Sequence, residues 1–376
     1  MKRETLCVHG GSHRDKATGG INTPIFTSSA FEYLDRDVTY PRYFNTPNQE
    51  AVVKKVSALE GAEDGVLLSS GMAAMSTSIL SFARAGDHVV MQDELYGGTH
   101  AFATDEFDRL GIAYSFVRTD ARAVHEAVTD KTRVIVIESP TNPLLSVIDI
   151  RKVAGFARTR GITTIIDNTF ATPVNQNPLG LGIDVVVHSG TKYLGGHSDI
   201  CCGIVVTSRE RAARIRSLAR HLGGSVNAAT CYLLERSLKT LALRVERQTA
   251  NAGALADFLA HHKAVRRVYY PGLSDSPGHE IAKIQMAGYG GMLSFEAAGD
   301  DFDPRAFVKR LRLIPPMVSL GGVETTITSP AVTSHAKISA AERERIGITD
   351  SLLRISAGIE HVDDLVADLD QALRAR

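Results

Sequence analysis

The sequence lacks a surplus of either charge: 42 basic side chains face 42 acidic ones over 376 residues, a formal net charge of zero. That balance leaves no footprint for nucleic acid or for an anionic membrane surface. No apolar run approaches the roughly 20 residues needed to cross a bilayer. The opening MKRETLCVHGGSHRD carries no apolar stretch of the kind that marks a secretory signal, so none is expected. Cysteine is scarce: there are four, Cys201 and Cys202 are adjacent, and no Cys-x-x-Cys spacing occurs. A disulfide framework, a zinc finger and a dithiol redox motif are poor readings of that pattern, and reduced thiols in the cytoplasm are expected. No metal site is expected either. Neither G-x-G-x-x-G nor a Walker A string is present, so dinucleotide and ATP sites lack their usual support.

What is present is an ordinary globular composition, 44% hydrophobic and 22% charged. The length fits one large or two ordinary domains. The first ~45 residues read as irregular, rich in Gly, Thr, Ser and Pro. Phe26, Phe31, Tyr33, Tyr40, Tyr43 and Phe44 argue against disorder there, because disordered segments are poor in aromatics. An arm of that kind is expected to drape over a partner. Val52, Val53, Val56 and Leu59 then recur at helical spacing, and Gly61 supplies a stop.

Seven short apolar runs follow: Val66–Leu68, Val89–Met91, Tyr114–Val117, Val134–Ile137, Thr163–Ile166, Val185–Val187 and Ile204–Val206. Helix-like stretches separate several of them, near 72–82, 99–110, 124–128 and 150–159. Strands that are apolar on both faces, alternating with helices, predict a mostly parallel sheet covered on both sides. After about Glu235 the pattern changes. A long helical stretch spans roughly 238–262, short strands lie near 265–270 and 292–296, and a last helix carries Leu365, Val366, Leu369 and Leu373. The expected division is an arm over 1–47, a large α/β domain over 48–237 and a smaller α+β domain over 238–376.

Ligands of open α/β sheets bind beyond the carboxyl ends of the strands. Those ends read SSGMAAM, QDELYGGTH, ESPTNP, DNTFATP and HSGTKYLGGHSD. Taken singly, each has a plain explanation. SSGMAAM is a tight strand–helix turn, though its backbone N–H groups could face an anion and Gly71 allows close approach. Asp167 could cap a turn or hold a cationic ring nitrogen. Lys192 could be a solvated surface group or a Schiff-base lysine of depressed pKa. Tyr96 could pack in the core or stack on a planar cofactor. Arg354, a charge inside the apolar run LLRISAGIE, needs an anion, either a structural carboxylate or a substrate. Together they describe one cofactor: an aldehyde for the lysine, a pyridinium for the acid, a ring for the tyrosine, a phosphate for the helix turn. That cofactor is pyridoxal 5'-phosphate.

The motifs TPIFTSSAF, YPRYFNTPN, SSGMAA, DELYGGT, ESPTNP, DNTFATP, HSGTKYLGGHSD, VSLGGVET and LLRISAGIE, in this order, resemble the Cys/Met-metabolism family of pyridoxal phosphate (PLP) enzymes. The resemblance covers nearly the whole chain. It implies a fold-type I, aspartate-aminotransferase-like subunit, assembled as a tetramer of two catalytic dimers. It implies that Lys192 links to the cofactor and shuttles protons, that Asp167 pairs with the pyridine nitrogen, and that Tyr96 stacks on the ring and assists proton transfer. Gly71, Met72, Ser189 and Thr191 are implied to hold the phosphate. Arg354, with Asn142 and the backbone near Ser319, is implied to receive the substrate α-carboxylate. Tyr40 and Arg42 are implied to reach the phosphate of a neighbouring subunit. The implied activity is elimination at Cβ or Cγ of cystathionine or a related sulfur amino acid. The implied rivals are γ-replacement, by a cystathionine γ-synthase or a homoserine-ester sulfhydrylase, and methionine γ-lyase activity.

Departures from the family pattern bear on the substrate. Val318 stands where many cystathionine-handling members carry an acid, and Ala101 stands near the place of an arginine. Gly98 stands where methionine γ-lyase-like members often carry cysteine. Pro41, Phe44 and Thr46 alter the segment after Tyr40.

Overall fold

A computed structural model describes residues 1–299, 302–333, 343 and 345–374. All seven expected runs are strands of one sheet: β1 Asp64–Leu68, β2 His88–Gln92, β3 Ala113–Val117, β4 Thr132–Glu138, β5 Thr163–Asp167, β6 Val185–Ser189 and β7 Gly203–Thr207. Their order is β1-β7-β6-β5-β4-β2-β3. Six strands share one direction, and β7 runs against both of its neighbours. The link from β6 to β7 contains no helix. Parallel neighbours need a long crossover, usually helical, so this link returns the chain antiparallel.

The apolar runs are continuous because both faces of the sheet are covered. Leu67, Val90, Ile135, Ile166, Val186 and Ile204 join one core cluster. Their chain neighbours Val66, Val89, Val134, Ile165, Val185 and Val205 join another. This period of two divides each strand between two layers. The helix Gly71–Phe82 packs over β6 and β7, which sets its N-terminus above the carboxyl end of the sheet's centre.

A second sheet is four-stranded and antiparallel, ordered β10-β11-β9-β8. Its strands are β8 Val265–Tyr269, β9 Met292–Ala297, β10 Thr326–Thr328 and β11 Leu352–Ser356. The first two coincide with expected strands. The last two were not expected from periodicity: β10 has only three residues, and β11 is interrupted by Arg354. The helical stretch expected over 238–262 is the helix Leu241–Ala260, and the helix Ala228–Leu238 before it was not expected. The final helix, Val362–Arg374, buries Leu365, Leu369 and Leu373. The helix Arg209–Leu222, which covers β1 and β7, was also not expected.

The arm is mostly irregular, as expected, but it begins with a short helix, Arg3–His9. A buried lysine ties that helix down. Lys55 Nζ donates to the carbonyls of Cys7 at 3.0 Å and Val8 at 3.2 Å and to Ser12 Oγ at 3.2 Å. Burial holds its pKa below the ordinary lysine value. The helix Pro47–Glu60 then starts from a capping box between Thr46 and Gln49 and stops at Gly61, whose φ is +73°. Among the described residues no helix is long and apolar enough to cross a membrane.

Candidate active site

The strand ends and β11 meet at a cleft of about 810 Å³. Ten of the twelve residues singled out from the sequence line it. Tyr40 and Arg42 do not.

One end of the cleft is the helix turn. Ser70 Oγ accepts from Ala73 N–H at 3.0 Å and caps the helix Gly71–Phe82, leaving the N–H groups of Gly71 and Met72 without that partner. A Cβ at position 71 would lie 2.9 Å from Ser189 Cβ, so only glycine lets the helix approach β6 this closely. Thr191 is fixed by a reciprocal pair with Cys202, donating to its carbonyl at 3.3 Å and accepting from its N–H at 3.2 Å. Helix N–H groups beside the Ser189 and Thr191 hydroxyls form a cradle that fits a phosphate.

The floor is acidic. Asp167 ends β5 and accepts from Thr169 N–H at 3.0 Å. Glu138 ends β4 directly beside it in the ladder. Paired residues of adjacent strands present their side chains to the same face, so two carboxyls enter the cleft together. Burial pushes Glu138 well above the ordinary carboxylate range, and the Asp167 charge pushes it the same way. Burial also raises Asp167, against hydrogen bonds from Thr169. Glu138 Oε2 accepts from Tyr96 N–H at 2.8 Å and so fixes the start of the helix Gly97–Glu106. Sequence reasoning gave Glu138 no role. The signal was available: VIVIE ends in an acid just as TTIID does.

Tyr96 lines the cleft and is 45% exposed. A Cβ on residue 98 would meet Tyr96 Cε1 at 2.6 Å and Met72 Sδ at 3.1 Å. Gly98 is therefore the space under the tyrosine ring, and a cysteine there would displace it.

Lys192 Nζ donates to Ser319 Oγ at 2.7 Å. Burial, and then the nearby Arg354 charge, bring its pKa down to about 8. Ser319 has φ +80°, an uncommon backbone conformation for a residue with a side chain. It serves two partners, because its carbonyl also accepts from Arg354 Nη2 at 3.4 Å.

Arg354 is 4% exposed, and its Nη1 donates to Asn142 Oδ1 at 2.6 Å. Its Nε is buried without a partner among the described residues, and the oxygens of Asn142 and Ser319 that its Nη atoms reach are neutral. Burial lowers its pKa to about 10. An uncompensated buried guanidinium with an open N–H fits an anionic ligand, and a carboxylate best.

Tyr40 and Arg42 lie on the outside. Arg42 Nη1 donates to the Arg220 carbonyl at 2.7 Å, and its guanidinium sits 5.8 Å from the Tyr40 ring centre. A second cleft, of about 780 Å³, lies between β8 and the loop 144–149. Its cations are largely spent on neighbours, such as Lys152 on Asp149 at 3.1 Å and Arg266 on Glu296 at 3.3 Å. Among the described residues no group of His, Cys, Asp and Glu could hold a metal ion.

Residues 4–374 match the family described as Cys/Met metabolism PLP-dependent enzyme. Cystathionine gamma-lyase of Bacillus subtilis is 44% identical, over 99% of each chain. Cystathionine beta-lyase of Lactococcus lactis subsp. cremoris is 42% identical, also over 99% of each. Among solved structures, cystathionine gamma synthase from Xanthomonas oryzae pv. oryzae, in complex with aminoacrylate and cysteine, superposes with a TM-score of 0.96 at 37% identity, covering 99% of this chain and 98% of that one.

Proposed function

The chain belongs to the Cys/Met metabolism PLP-dependent enzyme family, and on that premise we propose that it is a carbon–sulfur lyase. It eliminates at Cβ or Cγ of cystathionine or a related sulfur amino acid, giving a thiol, a keto acid and ammonia. The observation that carries this reading is Lys192 in the cleft, bonded to Ser319 Oγ at 2.7 Å, where burial and the Arg354 charge lower its pKa to about 8. The fit of the cleft to pyridoxal phosphate rests on the Gly71–Ser189 approach and the acid at the end of β5, and the open Arg354 Nε fits the substrate's α-carboxylate.

Bound pyridoxal phosphate supplies an electron sink that stabilises negative charge at the substrate Cα. The chain supplies the rest. Arg354 and Asn142 receive the α-carboxylate and thereby orient the Cα–H bond. Lys192 Nζ takes the Cα proton, since an amine of pKa about 8 is neutral near pH 7 in a far larger fraction than an ordinary lysine of pKa 10.5. For cleavage at Cγ the same amine reaches Cβ for a second proton. Asp167 holds a proton on the ring nitrogen. Tyr96, backed by Gly98 and held through its N–H by Glu138, would stack on the cofactor ring. Gly71, Met72, Ser189 and Thr191 hold the phosphate.

In this reading residues 48–237 carry the cofactor, 238–376 bring Arg354 and Ser319, and 1–47 reach a second copy of the chain. Tyr40 and Arg42 then complete the partner's phosphate site, in a dimer that pairs into a tetramer. Ile21, Tyr33, Leu34 and Val38 are 65%, 70%, 64% and 56% exposed on the arm, which supports an unpaired face. Dilution of the holoprotein to the monomer is expected to release cofactor and activity in parallel, as followed by light scattering and cofactor absorbance. A monomer that keeps its cofactor would remove the arm from the site.

The reaction is tested by the keto acid released from cystathionine. Pyruvate means elimination at Cβ, with homocysteine as the thiol. 2-Oxobutyrate means elimination at Cγ, with cysteine as the thiol. Failure to release either overturns the cystathionine lyase reading. The likeness to the Xanthomonas synthase then favours γ-replacement, which an activated homoserine ester and a thiol would reveal as a thioether product.

A further inference from the structure

The cleft is charged unevenly along its depth. Its cations, Lys192 and Arg354, belong to the inner part, where Arg354 is only 4% exposed. Three carboxyl groups line it among the described residues: Glu138, Asp167 and Asp105. The first two form the floor and are engaged, Glu138 with Tyr96 N–H and Asp167 with Thr169 N–H. Asp105 is different: it is exposed, and it stands at the outer end of the helix Gly97–Glu106.

That helix begins at Tyr96 and forms a wall of the cleft. Gly97, Ala101, Thr104 and Asp105 are spaced as one helical face, and all four line the cleft. Among the described residues the side-chain partner of Asp105 is its neighbour Thr104, whose hydroxyl donates to Oδ1 at 3.1 Å. No ion pair joins Asp105 to a described cation. Among the described residues of the rim, Ala101 and Val318 are apolar, Thr328 and Thr333 are neutral hydroxyls, His100 is the other titratable side chain, and Asp105 is the carboxylate.

We propose that Asp105 is a specificity-determining residue that receives a second, distal ammonium group on the far side of the substrate's sulfur. This deepens the lyase reading above and rests on it. A substrate held inward by its α-carboxylate on Arg354 extends its leaving thiol toward the rim. A thioether ending in a methyl group meets only Val318, Ala101 and hydroxyls there. A diamino acid such as cystathionine presents an ammonium to the carboxylate that Asp105 places at the rim. Asp105, a helical turn beyond Ala101, thus compensates for some of the charge that Val318 and Ala101 do not supply.

The test compares cystathionine with the analogue in which only its distal amino group is replaced by hydrogen. Binding to the holoenzyme is read from the change in the cofactor's visible absorbance, so turnover is not required. The unmodified enzyme should bind cystathionine the more tightly of the two. Asp105→Asn should shrink that preference roughly two- to fivefold, the range for a charge pair at an open rim. Asp105→Lys should reverse it, and added salt should weaken it only in the unmodified enzyme. An Asp105→Asn preference equal to that of the unmodified enzyme overturns the proposal, and so does an equal loss for both ligands. If cystathionine binds with the predicted preference but yields no keto acid, the lyase reading fails and the role of Asp105 stands.

Discussion

Lys192→Ala should lower turnover by at least about 10³-fold, because it removes both the amine that bonds to the cofactor and the base at Cα. The loss cannot be made good locally. Among the described residues lining the cleft, the other cation is Arg354, which with a pKa of about 10 stays protonated near neutral pH. A second measurement isolates the lysine from the rest of the reaction. Only the neutral amine adds to an aldehyde, so capture of pyridoxal phosphate by the cofactor-free protein should rise with pH through a midpoint of about 8. The sign follows from the cause: burial and Arg354 disfavour the charged amine, which moves the rise down from the ordinary lysine value of 10.5. Borohydride reduction should then fix the cofactor to the unmodified chain and leave Lys192→Ala unlabelled. Normal turnover by the variant, or a capture midpoint near 10, would sink the role given to Lys192.

Much of this site was legible because strands buried on both faces must be apolar to their ends. A polar residue at such an end therefore stands out, and Asp167, Ser189 and the Lys192 segment were found that way. Arg354 stood out for the same reason, although β11 itself was not foreseen. Its five residues pair with β9 and β10, and pairing between distant segments leaves no mark in local periodicity. The reversed direction of β7 was hidden too, since it depends on the link and not on the strand. Glu138 was overlooked because its meaning is lateral: it matters as the ladder neighbour of Asp167 and as the acceptor for Tyr96 N–H. Lys55 illustrates the opposite limit. A lysine at a helical position reads as surface, yet three oxygens brought by the arm make it a buried anchor. Tyr40 and Arg42 carry no local signal for the cleft, and within one chain they lie away from it.

Arg354→Ala should weaken substrate binding by about 2–5 kcal/mol, the range for removing one partner of a buried, hydrogen-bonded charge pair. At 1.4 kcal/mol per tenfold, KM should rise from about 30-fold to several thousand-fold. The cofactor content should hold, because the guanidinium bonds Asn142 and the Ser319 carbonyl and sits beside Lys192 without reaching the phosphate cradle. Two side effects distinguish this from general damage. Loss of the Arg354 charge removes one of the two causes that lower Lys192, so the capture midpoint should move upward from about 8. Arg354→Lys should restore that charge but not the fork that can bond Asn142 and a carboxylate together, so it should recover the midpoint more fully than KM. An unchanged KM in Arg354→Ala would place the α-carboxylate elsewhere. It would leave the buried, unpartnered Nε without a ligand, and the orientation of the Cα–H bond toward Lys192 without its cause.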